Sequence, residues 1–92
     1  MLKLDHNQFG TQGVINLSQS LAINPHLKIL SLTYCGIEKD AAQALFEILI
    51  FTRSQLEQVY LSGNLLRQEG VRRVLIGASI AKSLKKIYLA DN

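Results

Sequence analysis

From Leu27 to Ile37 the chain reads LKILSLTYCGI, with apolar side chains at Leu27, Leu30, Leu32 and Ile37 and the small Cys35 just before the last. Residues Ile29 to Thr33 alternate in polarity, which predicts a short strand with one face buried. The same offsets return in LEQVYLSGNLL, at Leu56, Val59, Leu61, Asn64 and Leu66, and again in LKKIYLADN, at Leu84, Ile87, Leu89 and Asn92. The opening MLKLDHNQF carries Leu2, Leu4, Asn7 and Phe9 in register but lacks the leading leucine. Asn7, Cys35, Asn64 and Asn92 therefore recur at a nearly constant interval. Between these motifs the apolar spacing becomes helical, at Val14, Leu17 and Leu21, then Ala42, Leu45 and Leu49, then Val71 and Val74.

The interval is about 28 residues, and self-similarity at such a period predicts a solenoid, in which each unit buries its apolar face only against its neighbours. Strand followed by helix, three times over, makes the expected class α/β, with a partial repeat at 1–9, units at about 1–26, 27–55 and 56–83, and a terminal strand at 84–92. The second unit holds one extra residue, expected in the turn from Phe51 to Gln55. Ala78 replaces the leucine of the earlier helices and Gly77 lowers helix propensity by about 1 kcal/mol, so the third helix is expected to be the least regular.

The pattern LxxLxLxxN/CxL, complete at Leu27 and Leu56 and partial at both ends, resembles the leucine-rich repeat, and its period resembles the long ribonuclease-inhibitor-like class. Gly13 and Gly70, expected to open their helices, match that class, while Ala41 departs from it. The resemblance implies a right-handed solenoid, a horseshoe segment with parallel strands on the concave face and helices on the convex face. Inward leucines would stack into one core, where removing a side chain costs about 2–5 kcal/mol. Asn7, Asn64 and Asn92 would satisfy backbone groups at the turn after each strand, and Cys35 would fill the same place. A buried cysteine in that role is structural rather than reactive.

Residues between the leucines are left for recognition. They form columns across the strands: Met1, Ile29, Gln58 and Lys86, then Lys3, Ser31, Tyr60 and Tyr88, then Asp5, Thr33, Ser62 and Ala90. His6, Tyr34, Gly63 and Asp91 follow at the strand exits. The expected partner surface is Lys3, Ile29, Ser31, Thr33, Tyr34, Gln58, Tyr60, Lys86 and Tyr88, because exposed tyrosines are frequent binding hot spots, the alternative being that the tyrosines merely shield the sheet. On the convex side Phe46 and Ile50, one helical turn apart, form a candidate contact patch that could equally pack on neighbouring helices.

Composition narrows the class further. Apolar residues make up 48% of the 92 positions and there is a single proline, which gives core material in excess of linker. Ten basic against seven acidic residues is a mild imbalance, and the late basic residues Arg67, Arg72, Arg73, Lys82, Lys85 and Lys86 divide among loop, helix and strand, so nucleic acid is not the expected partner. The single cysteine excludes an internal disulfide, and no Cys and His spacing fits zinc. The run ALFEILIF is far shorter than the roughly 20 residues a membrane span requires. There is no secretory signal pattern, so an intracellular, cytoplasmic setting is expected.

Catalytic groupings do not emerge. Asp5 and His6 are adjacent and would point to opposite faces of a strand, while His26 follows Pro25 in a turn with no nucleophile to serve. Gly10 and Gly13 lie in a turn the repeat already requires rather than in a phosphate loop. The expectation is a non-catalytic module, without cofactor or metal, that binds a protein partner through its concave face. Its motifs run up to both termini, so flanking repeats or a partner are expected to cover the solenoid ends. The resemblance to small-GTPase activators and nucleotide-binding receptors implies an alternative regulatory or sensor role. The resemblance to tropomodulins and axonemal subunits implies a cytoskeletal or ciliary one.

Overall fold

Four short strands carry the alternating segments: β1 (Leu2–Lys3), β2 (Ile29–Ser31), β3 (Gln58–Tyr60) and β4 (Lys86–Tyr88). The computed structural model describes residues 1–8, 10–22, 26–51 and 55–92. All neighbouring strands are parallel and the sheet order is the chain order, β1-β2-β3-β4. Leu2 lies beside Leu30, Leu30 beside Val59 and Val59 beside Ile87, so the register of the sheet reproduces the interval between the sequence motifs. Parallel neighbours require a crossover, and each one here contains a helix. These are α1 (Gly10–Ala22), α2 (Ala42–Ile50) and α3 (Arg67–Ile80). A 3₁₀ turn at Lys39–Ala41 leads into α2, closed by Ala41 N donating to Glu38 O at 3.0 Å.

The sheet forms one layer and the helices the other, with α2 packed between α1 and α3. Pleating turns Leu30, Leu32, Val59 and Leu61 toward the helices, where they are buried together with Val14, Leu45, Ile48 and Val74. Ile37 and Leu66, at the turns into α2 and α3, close the same core. Burial falls off toward the sheet edges: Leu2, Leu4, Ile87 and Leu89 pack against the core only partly covered.

Two expectations about the helices change. Gly13 and Gly70 do not open their helices; each lies one turn inside, after starts at Gly10 and Arg67. The third helix, expected to be the least regular, runs unbroken for 14 residues. Gly77 explains this, since a Cβ there would stand 3.0 Å from Phe46 Cδ2 and 3.3 Å from Phe46 Cα. Its missing side chain lets α3 approach α2, and that packing outweighs the lost propensity. Gly70 does the same nearer the start of α3, where a Cβ would lie 3.3 Å from Lys39 Cα. Phe9, Pro25, the Leu21 side chain and positions 52–54 of the turn expected to hold the extra residue lie outside the described residues.

Candidate interaction surface

The turn after each strand is built on a ladder of side chains. Asn64, only 2% exposed, accepts from Cys35 N at 2.9 Å and Ile37 N at 3.2 Å through Oδ1. Its Nδ2 donates to Leu32 O and Leu61 O, both at 2.8 Å. One amide thus joins two units and leaves no buried group of its own unpaired. Asn92 repeats the arrangement, taking Leu66 N at 3.3 Å and giving to Leu61 O at 2.9 Å and Leu89 O at 3.1 Å. Cys35 stands in the same rank, its Sγ 3.1 Å from Leu4 O. Asn7 is exposed and its Nδ2 bonds locally to Leu4 O at 2.9 Å.

Burial pushes the Cys35 thiol up, with the charge of Asp5 adding to it, while hydrogen bonds from the Asn7 and His6 backbone oppose the shift without reversing it. The thiol stays protonated and serves as a hydrogen-bond donor.

Immediately before the ladder, the backbone turns through the left-handed region in every unit: φ is 61° at His6, 54° at Tyr34, 74° at Gly63 and 58° at Asp91. Three of the four are not glycine, and such residues adopt this conformation at a cost. The turn projects their side chains outward. Tyr34, 49% exposed, lies with His6 stacked on it at 5.2 Å between ring centroids and 5° between planes. Its other side covers the backbone of Gly63, where an added Cβ would collide with the ring. Gly63 therefore makes room for Tyr34.

On the outer sheet face Lys3, Ser31, Tyr60 and Tyr88 fall in one row, as do Ile29, Gln58 and Lys86. The Tyr60 and Tyr88 rings stack at 4.6 Å and 5°, within the range of favourable aromatic pairs. Tyr60 Oη donates to Gln58 Oε1 at 2.7 Å. Lys3, Lys86 and Tyr88 are exposed; Ile29, Thr33, Gln58 and Tyr60 are half-buried. Ser31 is the exception in the expected set, being only 4% exposed. Its hydroxyl donates to Asp5 Oδ1 at 2.7 Å, and Thr33 N donates to the same oxygen at 2.8 Å. Ser31 is therefore a bracing residue rather than a contact residue.

Burial works against the Asp5 carboxylate, but the bonds from Ser31 and Thr33, aided by Lys3 at 3.9 Å, outweigh it and hold the group below its ordinary value. Lys3, Asp5, Thr33 and Tyr60 rim a shallow depression over Ser31.

The convex candidates separate. Phe46 is half-buried against Gly77, with the Arg73 guanidinium 5.4 Å from its ring centroid, so it packs between helices. Ile50 remains half-exposed at the end of α2. Several basic residues have individual partners: Lys39 with Glu69 at 3.9 Å, Lys85 with Glu57 at 3.7 Å, and Arg73 with Phe46. Among the described residues no cluster of His, Cys, Asp and Glu could hold a metal ion, and no helix is long and apolar enough to cross a membrane.

Sequence reasoning missed the brace at Asp5 and the stack of His6 on Tyr34. Both had a signal in the repeat offset, which sets Asp5 beside Thr33 and His6 beside Tyr34 on neighbouring strands. A comparison with known families matches residues 24–46 to the family described as Leucine Rich repeat. That span contains β2, the Cys35 rung and the first turn of α2. Leucine-rich-repeat domains commonly mediate protein–protein interaction and are typically not enzymes.

Proposed function

We propose that the chain is a segment of a right-handed leucine-rich-repeat solenoid of the ribonuclease-inhibitor-like class, a non-catalytic module that holds a protein partner against its concave sheet face. The observation that carries this reading is the pair of ordered aromatic stacks on one side of the molecule, Tyr60 with Tyr88 and Tyr34 with His6. Rings already held by neighbours lose little freedom on binding, so more of their contact energy becomes affinity. The bond from Tyr60 to Gln58 satisfies the hydroxyl without a partner and leaves apolar ring surface available. Exposed Lys3 and Lys86 supply a polar rim. Pairing of Lys39, Lys85 and Arg73 with their own neighbours favours a protein over a nucleic acid. A reducing, intracellular setting suits Cys35, which works in this fold as a free, protonated thiol.

A displayed random-peptide library panned against the chain tests the reading. Selected binders should lose about tenfold or more in affinity for Tyr60→Ala/Tyr88→Ala and for Tyr34→Ala, since hot-spot truncations cost more than about 1 kcal/mol each. Arg72→Glu on the convex side should leave them unchanged. Binders indifferent to the tyrosines but abolished by Arg72→Glu would sink the concave-face assignment.

A further inference from the structure

The row Lys3, Ser31, Tyr60 and Tyr88 on the outer sheet face is filled unevenly. Tyr60 and Tyr88 stack, and Tyr88 covers the side of the Tyr60 ring that faces β4. The opposite side of the ring is turned toward β2, where the residue in the same row is Ser31. A third ring at that place would continue the stack. The serine instead leaves a shallow depression of about 380 Å³, bounded by Tyr60 on one side and by Met1, Lys3 and Asp5 on the other, with Ser31 and Thr33 between them. Its walls and floor come from the first three strand segments, so the slot lies within the sheet rather than outside its edge.

The wall opposite Tyr60 carries a fixed negative charge. Asp5 reaches from the first segment onto the second, where its Oδ1 accepts from Ser31 Oγ at 2.7 Å and Thr33 N at 2.8 Å. Its carboxylate therefore stands about one strand spacing from β3. Against the opposing effect of burial, these bonds keep the group ionised near neutrality. Its Oδ2 meets Lys3 Nζ at 3.9 Å, too long for a hydrogen bond, and the lysine side chain is 66% exposed. Such a pair contributes little and gives way readily.

A ring face and a carboxylate on opposite sides of an open slot define what fits between them. An aromatic side chain would stack on Tyr60 but would desolvate Asp5 without offering it a donor. An ammonium group would pair with Asp5, yet it is compact and strongly hydrated and has no flat side to lay on the ring. A guanidinium satisfies both walls, since its plane lies on the ring and its N–H edge donates to the carboxylate. The protein already makes half of this arrangement elsewhere, with Arg73 over the Phe46 ring at 5.4 Å. The slot is open along the outer face, which suits a side chain carried in by a macromolecule rather than a free small molecule, whose sites enclose most of its surface.

We infer that the depression between Tyr60 and Asp5 is a subsite for one arginine side chain of the protein partner, its guanidinium stacked on Tyr60 and donating to Asp5 Oδ2 in place of Lys3. Asp5 is already held by Ser31 and Thr33, and Tyr60 by Gln58 and Tyr88, so little order has to be created on binding. This arginine subsite rests on the concave-face reading above. It adds that the partner's contact segment contains arginine and that Lys3 opposes its entry.

Nitrogen–proton correlation spectra of the isotopically labelled chain, titrated with N-acetyl-arginine amide and in parallel with N-acetyl-lysine amide, test the inference. The arginine compound should shift the Ser31, Thr33 and Tyr60 amides and bind about threefold more tightly than the lysine compound. Asp5→Asn keeps an acceptor for Ser31 and Thr33 and should weaken arginine binding about fivefold. Tyr60→Leu should weaken it about threefold, with dispersed spectra showing that both variants are folded. Lys3→Gln should strengthen it about twofold, opposite in sign to the loss of a general contact. Equal binding of the two compounds, binding unaltered by Asp5→Asn, weaker binding to Lys3→Gln, or no shift at these amides would each overturn the inference. Library-selected peptides that depend on Tyr60 and Tyr88 but lack arginine and ignore Asp5→Asn would also remove the subsite, while leaving the concave-face reading standing. Binders indifferent to both tyrosines would end that reading and the arginine subsite with it.

Discussion

Asn64 and Cys35 hold equivalent places in consecutive units yet join those units differently. Asn64 offers two donors and two acceptor sites, and all four are used between buried backbone groups. Cys35 directs one weak S–H toward Leu4 O. The carboxamide is a double-sided clamp, whereas the thiol fills space and adds only weak sulfur contacts, to Leu4 O and Thr33 O and from the Asn7 and His6 backbone. Cys35 is itself held by the neighbouring rung, since its backbone N–H is one of the groups Asn64 accepts. An array can therefore include a weaker rung provided the adjacent one is complete.

The most severe way to break this comparison is Asn64→Leu, which strands Cys35 N, Ile37 N and Leu32 O together, while Leu61 O keeps its bond from Asn92 Nδ2. With about 1–3 kcal/mol for each uncompensated buried group, partly relieved by relaxation, the expected loss is about 4 kcal/mol in urea unfolding. The melting temperature should fall by roughly 15–25 °C. Gly63→Ala should follow at about 2 kcal/mol, because it combines a left-handed backbone with a Cβ driven into the Tyr34 ring. Part of that loss should return in the Tyr34→Ala background, where a double-mutant cycle should show coupling of about 0.5 kcal/mol or more.

Cys35→Ala should cost about 1 kcal/mol, well below Asn64→Leu, and a loss as large as that of Asn64 would end the distinction between the rungs. The smallest effect concerns Asp5, which braces the strand exit beside Cys35. Its folded pKa lies below the ordinary 3.8, so its stabilising contribution is complete above that value and is lost as pH falls through the lower folded one. The stability gap between the unaltered chain and Asp5→Ala should accordingly be constant near neutrality and close only in acid below pH 3.8.

The strand positions and their register could be read from Leu30, Val59 and Ile87 because burial on one side of a pleat enforces alternation, and alternation survives in one dimension. The polar rung at Asn64 was legible for a similar reason: an asparagine amid leucines has few places to satisfy itself. Gly77 misled because its meaning lies in another helix; propensity describes the stretch of chain it sits in, whereas its function is the distance to Phe46. Ser31 misled because alternation assigns it outward, whereas its hydroxyl is bonded to the carboxylate of Asp5, which reaches across from the neighbouring unit. The left-handed turn at His6, Tyr34 and Asp91 was hidden because none of these residue types announces that conformation as glycine does at Gly63. On the candidate surface, spacing placed the tyrosines in one row but could not give the tilt that lets their rings stack.

Sheet order identical to chain order has a mechanical consequence. Drawn apart by its two termini, the molecule presents its units to the force in series, each strand pairing only with its neighbours in the chain order among the described residues. An outer unit can peel away by surrendering its own strand pairing and its own rung while the rest remains intact. Extension should proceed in steps, with the tallest force peak where the Asn64 clamp opens and a lower one at Cys35.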